Sequence, residues 1–128
     1  MTNKKILIVD DEAPIRAMFE RAFGKGGYTP RTAASGEEAM EILKQENIQV
    51  MFLDLKLPGM TGVDLCKKIR RDKPIAIIYA VTGYTSLFEL ANCRDAGFDD
   101  YFTKPVDLEL IYKATQDAFE KLNRWKRR

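Results

Sequence analysis

The sequence predicts a single α/β domain with a doubly wound, five-stranded parallel sheet. Short apolar runs alternate with stretches of helical periodicity along the whole of the 128 residues. Strict strand-helix alternation produces right-handed crossovers and a parallel sheet with helices on both faces. The strongest runs are also apolar almost throughout, which is typical of strands that are covered on both sides. These two observations together indicate the fold class.

Apolar runs rich in β-branched residues predict three of the five strands, at residues 6–9, 48–53 and 75–81. Two weaker runs, at 28–33 and 100–103, are assigned as strands mainly because they lie between helical stretches. The order of the elements is therefore strand then helix, repeated five times. In such a sheet, ligands bind beyond the carboxyl ends of the strands.

Local signals mark the predicted helices. Residues at helical spacing form apolar faces in each stretch, and the fifth helix carries its face from Leu108 to Leu122. Proline suits a first turn, hydroxyl and carboxylate side chains cap helix starts, and glycine ends helices. The start signals are Pro14, Ser35, Thr61, Ser86 and Asp107, and the end signals are the Lys73-Pro74 pair and Gly97.

The composition indicates an ordinary globular domain, with 45% hydrophobic and 31% charged residues. No apolar run approaches the roughly 20 residues that span a bilayer, and the start lacks a signal-peptide pattern. Cys66 and Cys93 suit small core residues in a reducing compartment, so we expect a cytoplasmic location.

Charge is unevenly distributed along the chain. The net charge is +2, but the last eight residues hold five cations and no acid, which leaves −3 for the remainder. We interpret residues 122–128 as a basic C-terminal tail on a mildly acidic domain that spans 1–128. A solvated helix end is the favoured reading of the tail, with an anionic partner or a linker to an output domain as alternatives. No direct nucleic-acid binding is expected.

Chemically useful side chains follow the predicted strands. Because the carboxyl ends of parallel strands meet at one edge of the sheet, we expect acids, a hydroxyl and a lysine from distant segments to lie together. Acids in this position also cap helices, so each one taken alone has an ordinary structural explanation. The residues are Asp10, Asp11, Glu12, Asp54, Thr82, Lys104 and Pro105.

Oxygen ligands without histidine or cysteine suit Mg²⁺, or Mn²⁺, which would relieve the mutual repulsion of clustered carboxylates. The chain contains no histidine, which excludes a serine-histidine triad. A carboxylate needs no general base, because it is ionised at neutral pH, and it can attack phosphorus directly. The pattern therefore indicates phosphoryl transfer to an aspartate.

Four segments resemble the signatures of one family, in order and at the right separations. They read ILIVDDE at 6–12, LDLKLPGMTG at 53–62, VTG at 81–83 and YFTKP at 101–105. They are similar to the receiver domains of two-component response regulators, the CheY-like superfamily, over roughly residues 4–122. The resemblance implies a flavodoxin-like (βα)₅ fold with strand order 2-1-3-4-5.

The resemblance also implies roles for matching residues. Asp54 would accept the phosphoryl group, and Lys104 and Thr82 would contact its oxygens. Asp10, Asp11, Asp54 and the backbone carbonyl of Lys56 would hold the metal ion, with Asp10 acting mainly through water.

Further residues would tune or transmit the response. Thr82 and Tyr101 would form the conformational switch, and Pro105 would follow a cis peptide bond that aims the preceding lysine. Lys56 and Tyr84 would flank the entrance used by attacking water and would set the lifetime of the phosphorylated state.

By the same resemblance, the donor would be a phosphohistidine of a sensor histidine kinase or a phosphotransfer protein. The domain would act as a switch on a downstream partner or output domain rather than as an enzyme on an external substrate. It would be a monomer, or a dimer through the face of the fourth helix, fifth strand and fifth helix.

Three alternatives stay open. A degenerate receiver would work by protein contacts without phosphorylation. A flavodoxin-like FMN binder needs a phosphate-cradling loop after the first strand, where this chain has acids instead. An aspartyl-phosphate phosphatase of the dehalogenase type would place its nucleophile after the first strand with an acid two residues on, as Asp10 and Glu12 are spaced.

Overall fold

The structure is a computed structural model, and it describes residues 4–83 and 86–126. In these two ranges, strands and helices alternate in the predicted order. The strands are β1 (Lys5–Val9), β2 (Thr29–Ala33), β3 (Val50–Asp54), β4 (Ile77–Thr82) and β5 (Asp100–Thr103). The helices are α1 (Ala13–Lys25), α2 (Gly36–Gln45), α3 (Gly62–Asp72), α4 (Leu87–Ala96) and α5 (Leu108–Lys126).

All strand pairs are parallel, and the sheet order is β2-β1-β3-β4-β5. The fold class and the strand order are therefore confirmed. The order reverses between β1 and β3, which pair with Val9 opposite Leu53. In sheets of this kind, ligands bind at the carboxyl ends of the strands beside such a switch point.

Two apolar layers hold the helices to the sheet, because successive side chains of a strand point to opposite faces. Ile6 and Ile8 pack against α1 and α5, beside the stacked rings of Phe19 and Phe23. Leu7 and Val9 face the other layer, which is built with α2, α3 and α4. Buried side chains on both faces explain why the central strands are apolar throughout.

Most of the residues predicted to start helices form capping hydrogen bonds in the structure. The Oγ of Ser35 accepts from the backbone N–H of Glu38 at 3.2 Å, and Asp107 Oδ1 accepts from that of Glu109 at 3.0 Å. Thr61 and Ser86 cap α3 and α4 in the same way. Gly97 ends α4 with φ of 108°, a left-handed conformation that favours glycine.

Two strands begin two residues later than predicted, and the other strand limits lie within one residue of the prediction. β3 begins at Val50 rather than Ile48, and β4 begins at Ile77 rather than Ile75. Ile48 is buried in the loop before its strand, whereas Ile75 is 52% exposed in the turn that it forms with Pro74. Apolar character alone therefore does not mark where strand pairing begins.

The predicted basic tail is largely helical. Residues 122–126 continue α5, and Leu122 is buried in the core while Trp125 is 56% exposed. Arg127 and Arg128 lie outside the described residues. In the part of the chain that the structure covers, no helix combines the length and apolarity needed to cross a membrane.

Candidate functional site at the carboxyl edge of the sheet

Two buried aspartates lie side by side at the switch point. Asp10 follows β1, and Asp54 is the last residue of β3, one position further along the strand than predicted. Their neighbouring strands bring them together, and only 1% of Asp10 and 5% of Asp54 is exposed. Buried carboxylates are rare unless something pairs with them, so this pair marks a site.

Two exposed acids complete the cluster. Asp11 and Glu12 follow Asp10 in the loop before α1, and one carboxylate oxygen from each of these residues and from Asp54 lies within 4.8 Å of all the others. Such a set of hard oxygen ligands fits Mg²⁺ or Mn²⁺, which prefer carboxylates. The donor chemistry therefore agrees with the predicted metal site.

Lys104 reaches the cluster from the loop after β5. Its Nζ lies 2.9 Å from Asp10 Oδ2, 3.2 Å from Asp54 Oδ2 and 3.2 Å from Glu12 Oε2. The backbone N–H of Lys104 donates to the carbonyl of Thr82 at 2.8 Å, which fixes the loop to the end of β4. The Lys104–Pro105 peptide bond is cis.

Burial and charge shift two pKa values in the site. Burial raises the pKa of Asp54, and the neighbouring Asp10 carboxylate raises it further, while the Lys56 N–H and Lys104 oppose the rise. Burial by itself would lower the pKa of Lys104, but its hydrogen bonds to the carboxylates of Asp10, Glu12 and Asp54 outweigh this effect and raise it. Lys104 therefore carries a permanent positive charge in the site.

Backbone groups orient the two buried carboxylates. The N–H of Glu12 donates to Asp10 Oδ1 at 2.9 Å, and the N–H of Lys56 donates to Asp54 Oδ1 at 3.1 Å. Each aspartate thus presents its second oxygen to Lys104. A carboxylate held in this way is fixed in direction before any ligand arrives.

The two proposed switch residues lie on neighbouring strands. Thr82 is the last residue of β4, is 1% exposed, and lies beside Thr103 in the register of the sheet. Tyr101, on the edge strand β5, is 41% exposed. Lys56 is exposed beside Asp54, whereas Tyr84, the second tuning residue, lies outside the described residues.

A family model for the response regulator receiver domain matches residues 6–116. The chain belongs to this family. Receiver domains are the phosphorelay signalling modules of two-component systems, which confirms the predicted family and the coarse function.

Relatives with curated descriptions are similar over most of this receiver domain. Sporulation initiation phosphotransferase F of Bacillus subtilis is 36% identical over 117 residues, which are 91% of this chain and 94% of the relative. The alkaline phosphatase synthesis transcriptional regulatory protein PhoP of the same species is 37% identical over 103 residues. That match covers 80% of this chain but 43% of the relative, so this chain spans less than half of that longer protein.

Solved structures show the same fold. A receiver domain protein from Methanospirillum hungatei superposes with a TM-score of 0.85 at 31% identity, covering 94% of this chain and 99% of that one. A chemotaxis protein of Vibrio cholerae gives 0.87 at 28% identity, covering 91% and 99%.

Two contacts of the receiver site were not predicted from the sequence. The ion pair between Glu12 and Lys104 joins residues 92 positions apart. Gly62 approaches the backbone of Asp54 so closely that an added Cβ would collide with its carbonyl oxygen, and its N–H donates to the carbonyl of Leu55 at 3.0 Å. A glycine directly after the cap residue Thr61 was the available signal for this close approach.

Proposed function

We propose that this receiver domain accepts a phosphoryl group from a phosphohistidine onto Asp54 and changes conformation in response. The observation that carries the proposal is the buried Asp54 carboxylate, whose Oδ2 lies 3.2 Å from Lys104 Nζ inside the acidic cluster. The phosphohistidine would belong to a sensor histidine kinase or a phosphotransfer protein.

In the transfer, an ionised oxygen of Asp54 forms a bond to phosphorus as the phosphorus–nitrogen bond to the donor histidine breaks. The imidazole nitrogen keeps the electron pair of that bond. The Lys56 N–H and Lys104 favour the ionised carboxylate that this attack requires, against the effect of burial. Lys104 would then contact a phosphoryl oxygen, because fixed positive charge stabilises the equatorial oxygens of the transferred group.

Asp10, Asp11, Asp54 and the backbone carbonyl of Lys56 would hold a Mg²⁺ or Mn²⁺ ion. When bound, the ion supplies positive charge that neutralises the clustered carboxylates and the phosphoryl oxygens. Oxygen-only donors within 4.8 Å of one another support this assignment.

The structural response would pass through Thr82 and Tyr101. We infer that the buried Thr82 hydroxyl contacts the phosphoryl group and that Tyr101, which is 41% exposed, packs inward behind it. A ligand shifts a two-state equilibrium only through its different affinity for the two states, and these new contacts supply the difference. Lys56 and Tyr84 would set the lifetime of the phosphorylated state.

The output partner, or a second copy of the domain, would bind the face formed by α4, β5 and α5. Leu87 and Phe88 at the start of α4 are each 85% exposed, as is typical of a contact surface rather than a core element. Tyr101 is one of the residues that line the groove between α4 and β5, so movement of this ring would alter the surface.

Intact mass after incubation with Mg²⁺ and acetyl phosphate tests the proposal. We expect wild type to gain one phosphoryl group, and neither Asp54→Asn nor wild type in EDTA to gain any. The control is Asp64→Asn, an exposed acid in the first turn of α3, which should be modified like wild type. Failure with acetyl phosphate and with a panel of histidine kinases would instead favour a degenerate receiver.

A further inference from the structure

Glu12 occupies the N-cap position of α1 but does not use its side chain as a cap. A residue at this position normally accepts a hydrogen bond from an N–H of the first helical turn, and glutamate is not a preferred cap. The backbone carbonyl of Glu12 accepts from Ile15 and Arg16, at 3.1 Å each. Its carboxylate is turned away from the helix and lies 3.2 Å from Lys104 Nζ.

The three carboxylates that contact Lys104 differ in how easily their side chains can move away from it. The side chains of Asp10 and Asp54 are 2% and 7% exposed and are held by backbone N–H groups, whereas the side chain of Glu12 is 60% exposed. Moving Glu12 into water therefore costs little, while displacing either aspartate would strand a buried charge. Glu12 is the partner that Lys104 can exchange most easily.

We propose that Glu12 is a positioning residue that competes with an incoming phosphoryl oxygen for Lys104, and so restrains phosphorylation of the receiver. The inference rests on the proposed function of Asp54 and Lys104. In the unmodified state the Glu12 carboxylate accepts one of the hydrogen bonds that the Lys104 ammonium group can donate. When Glu12 turns to solvent, a phosphoryl oxygen accepts that hydrogen bond instead.

Glu12 has a second, separable effect through its charge. Its carboxylate belongs to the cluster whose oxygens lie within 4.8 Å of one another, so it strengthens the attraction of the site for a cation. The contact with Lys104 depends on the reach of the side chain, but the attraction for a cation depends mainly on its charge. A shorter acid therefore separates the two effects.

Glu12→Gln removes the charge, and Glu12→Asp keeps the charge but shortens the side chain by one methylene. The matched control is Glu20→Gln, which removes the same charge from an exposed position on the same helix. Mg²⁺ affinity of the unmodified protein is measured by isothermal titration calorimetry. The second-order rate constant for phosphorylation by acetyl phosphate is measured at saturating Mg²⁺ for each variant.

We expect both Glu12 variants to be phosphorylated faster than wild type, by about two- to fivefold, the range that corresponds to an exposed ion pair. Mg²⁺ affinity should fall by about two- to fivefold in Glu12→Gln, stay near the wild-type value in Glu12→Asp, and be unchanged in Glu20→Gln. Raising the salt concentration to 1 M should reduce these differences.

Rates equal to wild type in both Glu12 variants would overturn this inference while leaving the proposed function intact. A faster rate in Glu12→Gln alone would also overturn it, because charge rather than contact with Lys104 would then be responsible. Absence of phosphorylation in wild type, by acetyl phosphate and by kinases, would overturn the proposed function and the inference together.

Discussion

Arg70 on α3 is expected to be one of the most important polar side chains for stability. Its guanidinium donates to the carbonyl oxygens of Gly97 and Ala76, to that of Pro74 at 3.0 Å, and to Asp99 Oδ2 at 3.1 Å. It thus joins the end of α3, the turn before β4, the end of α4 and the start of β5. Arg70→Met keeps most of the apolar stem and removes these bonds.

The expected loss of stability follows from the hydrogen-bond acceptors that lose their donor in Arg70→Met. Hydrogen bonds from a charged donor contribute about 1.5–3 kcal/mol, and buried acceptors left without a partner cost about 1–3 kcal/mol each. The Arg70 side chain is 24% exposed, and water can replace part of what is lost. We therefore expect Arg70→Met to lower the free energy of unfolding by about 2–4 kcal/mol.

Urea denaturation followed by circular dichroism gives this difference directly. At about 2.1 cal/mol/K of unfolding entropy per residue, 128 residues imply a fall in Tm of about 4 °C per kcal/mol, or roughly 8–15 °C in total. The neighbouring Arg71 is exposed on the same helix, so Arg71→Met is the matched control and should lie within about 0.5 kcal/mol of wild type. Equal midpoints for the two variants would refute the reasoning.

Three further predictions concern Thr82, Gly62 and Asp54, with Gly24 as the control for Gly62. Thr82→Ala should accept a phosphoryl group about as fast as wild type but show smaller chemical-shift changes at Tyr101 on phosphorylation, because the contact that couples them is absent. Gly62→Ala should destabilise the fold by about 1–3 kcal/mol in urea titrations, because the added methyl collides with the Asp54 carbonyl oxygen. Gly24→Ala, inside α1 with open space around the added Cβ, should instead stabilise by about 0.5–1 kcal/mol. In EDTA, Asp54→Asn should be more stable than wild type at pH 7, and urea midpoints should converge as the pH falls to about 4.

The sign of the pH effect follows from the raised pKa of Asp54. The Asp54 carboxyl group therefore binds its proton more tightly in the folded protein than in the unfolded chain. Stability is therefore lost as the pH rises from the unfolded pKa through the folded pKa, and the loss is complete above the folded pKa. Asparagine cannot ionise, so the variant lacks this loss. A variant that is less stable than wild type at pH 7 would contradict the argument.

Much of the fold was predictable because its signals are local. Apolar runs, helix caps such as Ser35 and the stop at Gly97 each act within a few residues, and the alternation of elements limits the topology. The predicted strand starts at Ile48 and Ile75 were wrong because an apolar residue need not be paired in the sheet. Both residues are apolar, yet one is buried without pairing and the other is exposed.

The site was predictable only in outline. The rule that ligands bind at the carboxyl ends of parallel strands located Asp10, Asp54 and Thr82 correctly at one edge. It could not predict that Glu12 would turn from its own helix towards Lys104, because that choice depends on side-chain reach across the assembled edge. The Arg70 contacts were missed for the same reason, since their partners lie as far as 29 residues away in the chain.

The two ends of β4 and β5 are held differently, and this difference has a mechanical consequence. At the amino ends, Asp99 accepts from the Ile78 N–H at 2.8 Å and donates its own N–H to the Ile78 carbonyl at 2.7 Å, and Arg70 braces the same carboxylate. At the carboxyl ends, Lys104 contacts the acidic cluster, and its backbone N–H donates to the Thr82 carbonyl at 2.8 Å. A phosphoryl group carries about two negative charges at neutral pH, so the proposed phosphorylation of Asp54 would require Lys104 to redistribute its contacts. Because the amino ends carry the additional Asp99 and Arg70 bonds, we expect larger amide chemical-shift changes on phosphorylation at Thr103 than at Ile78.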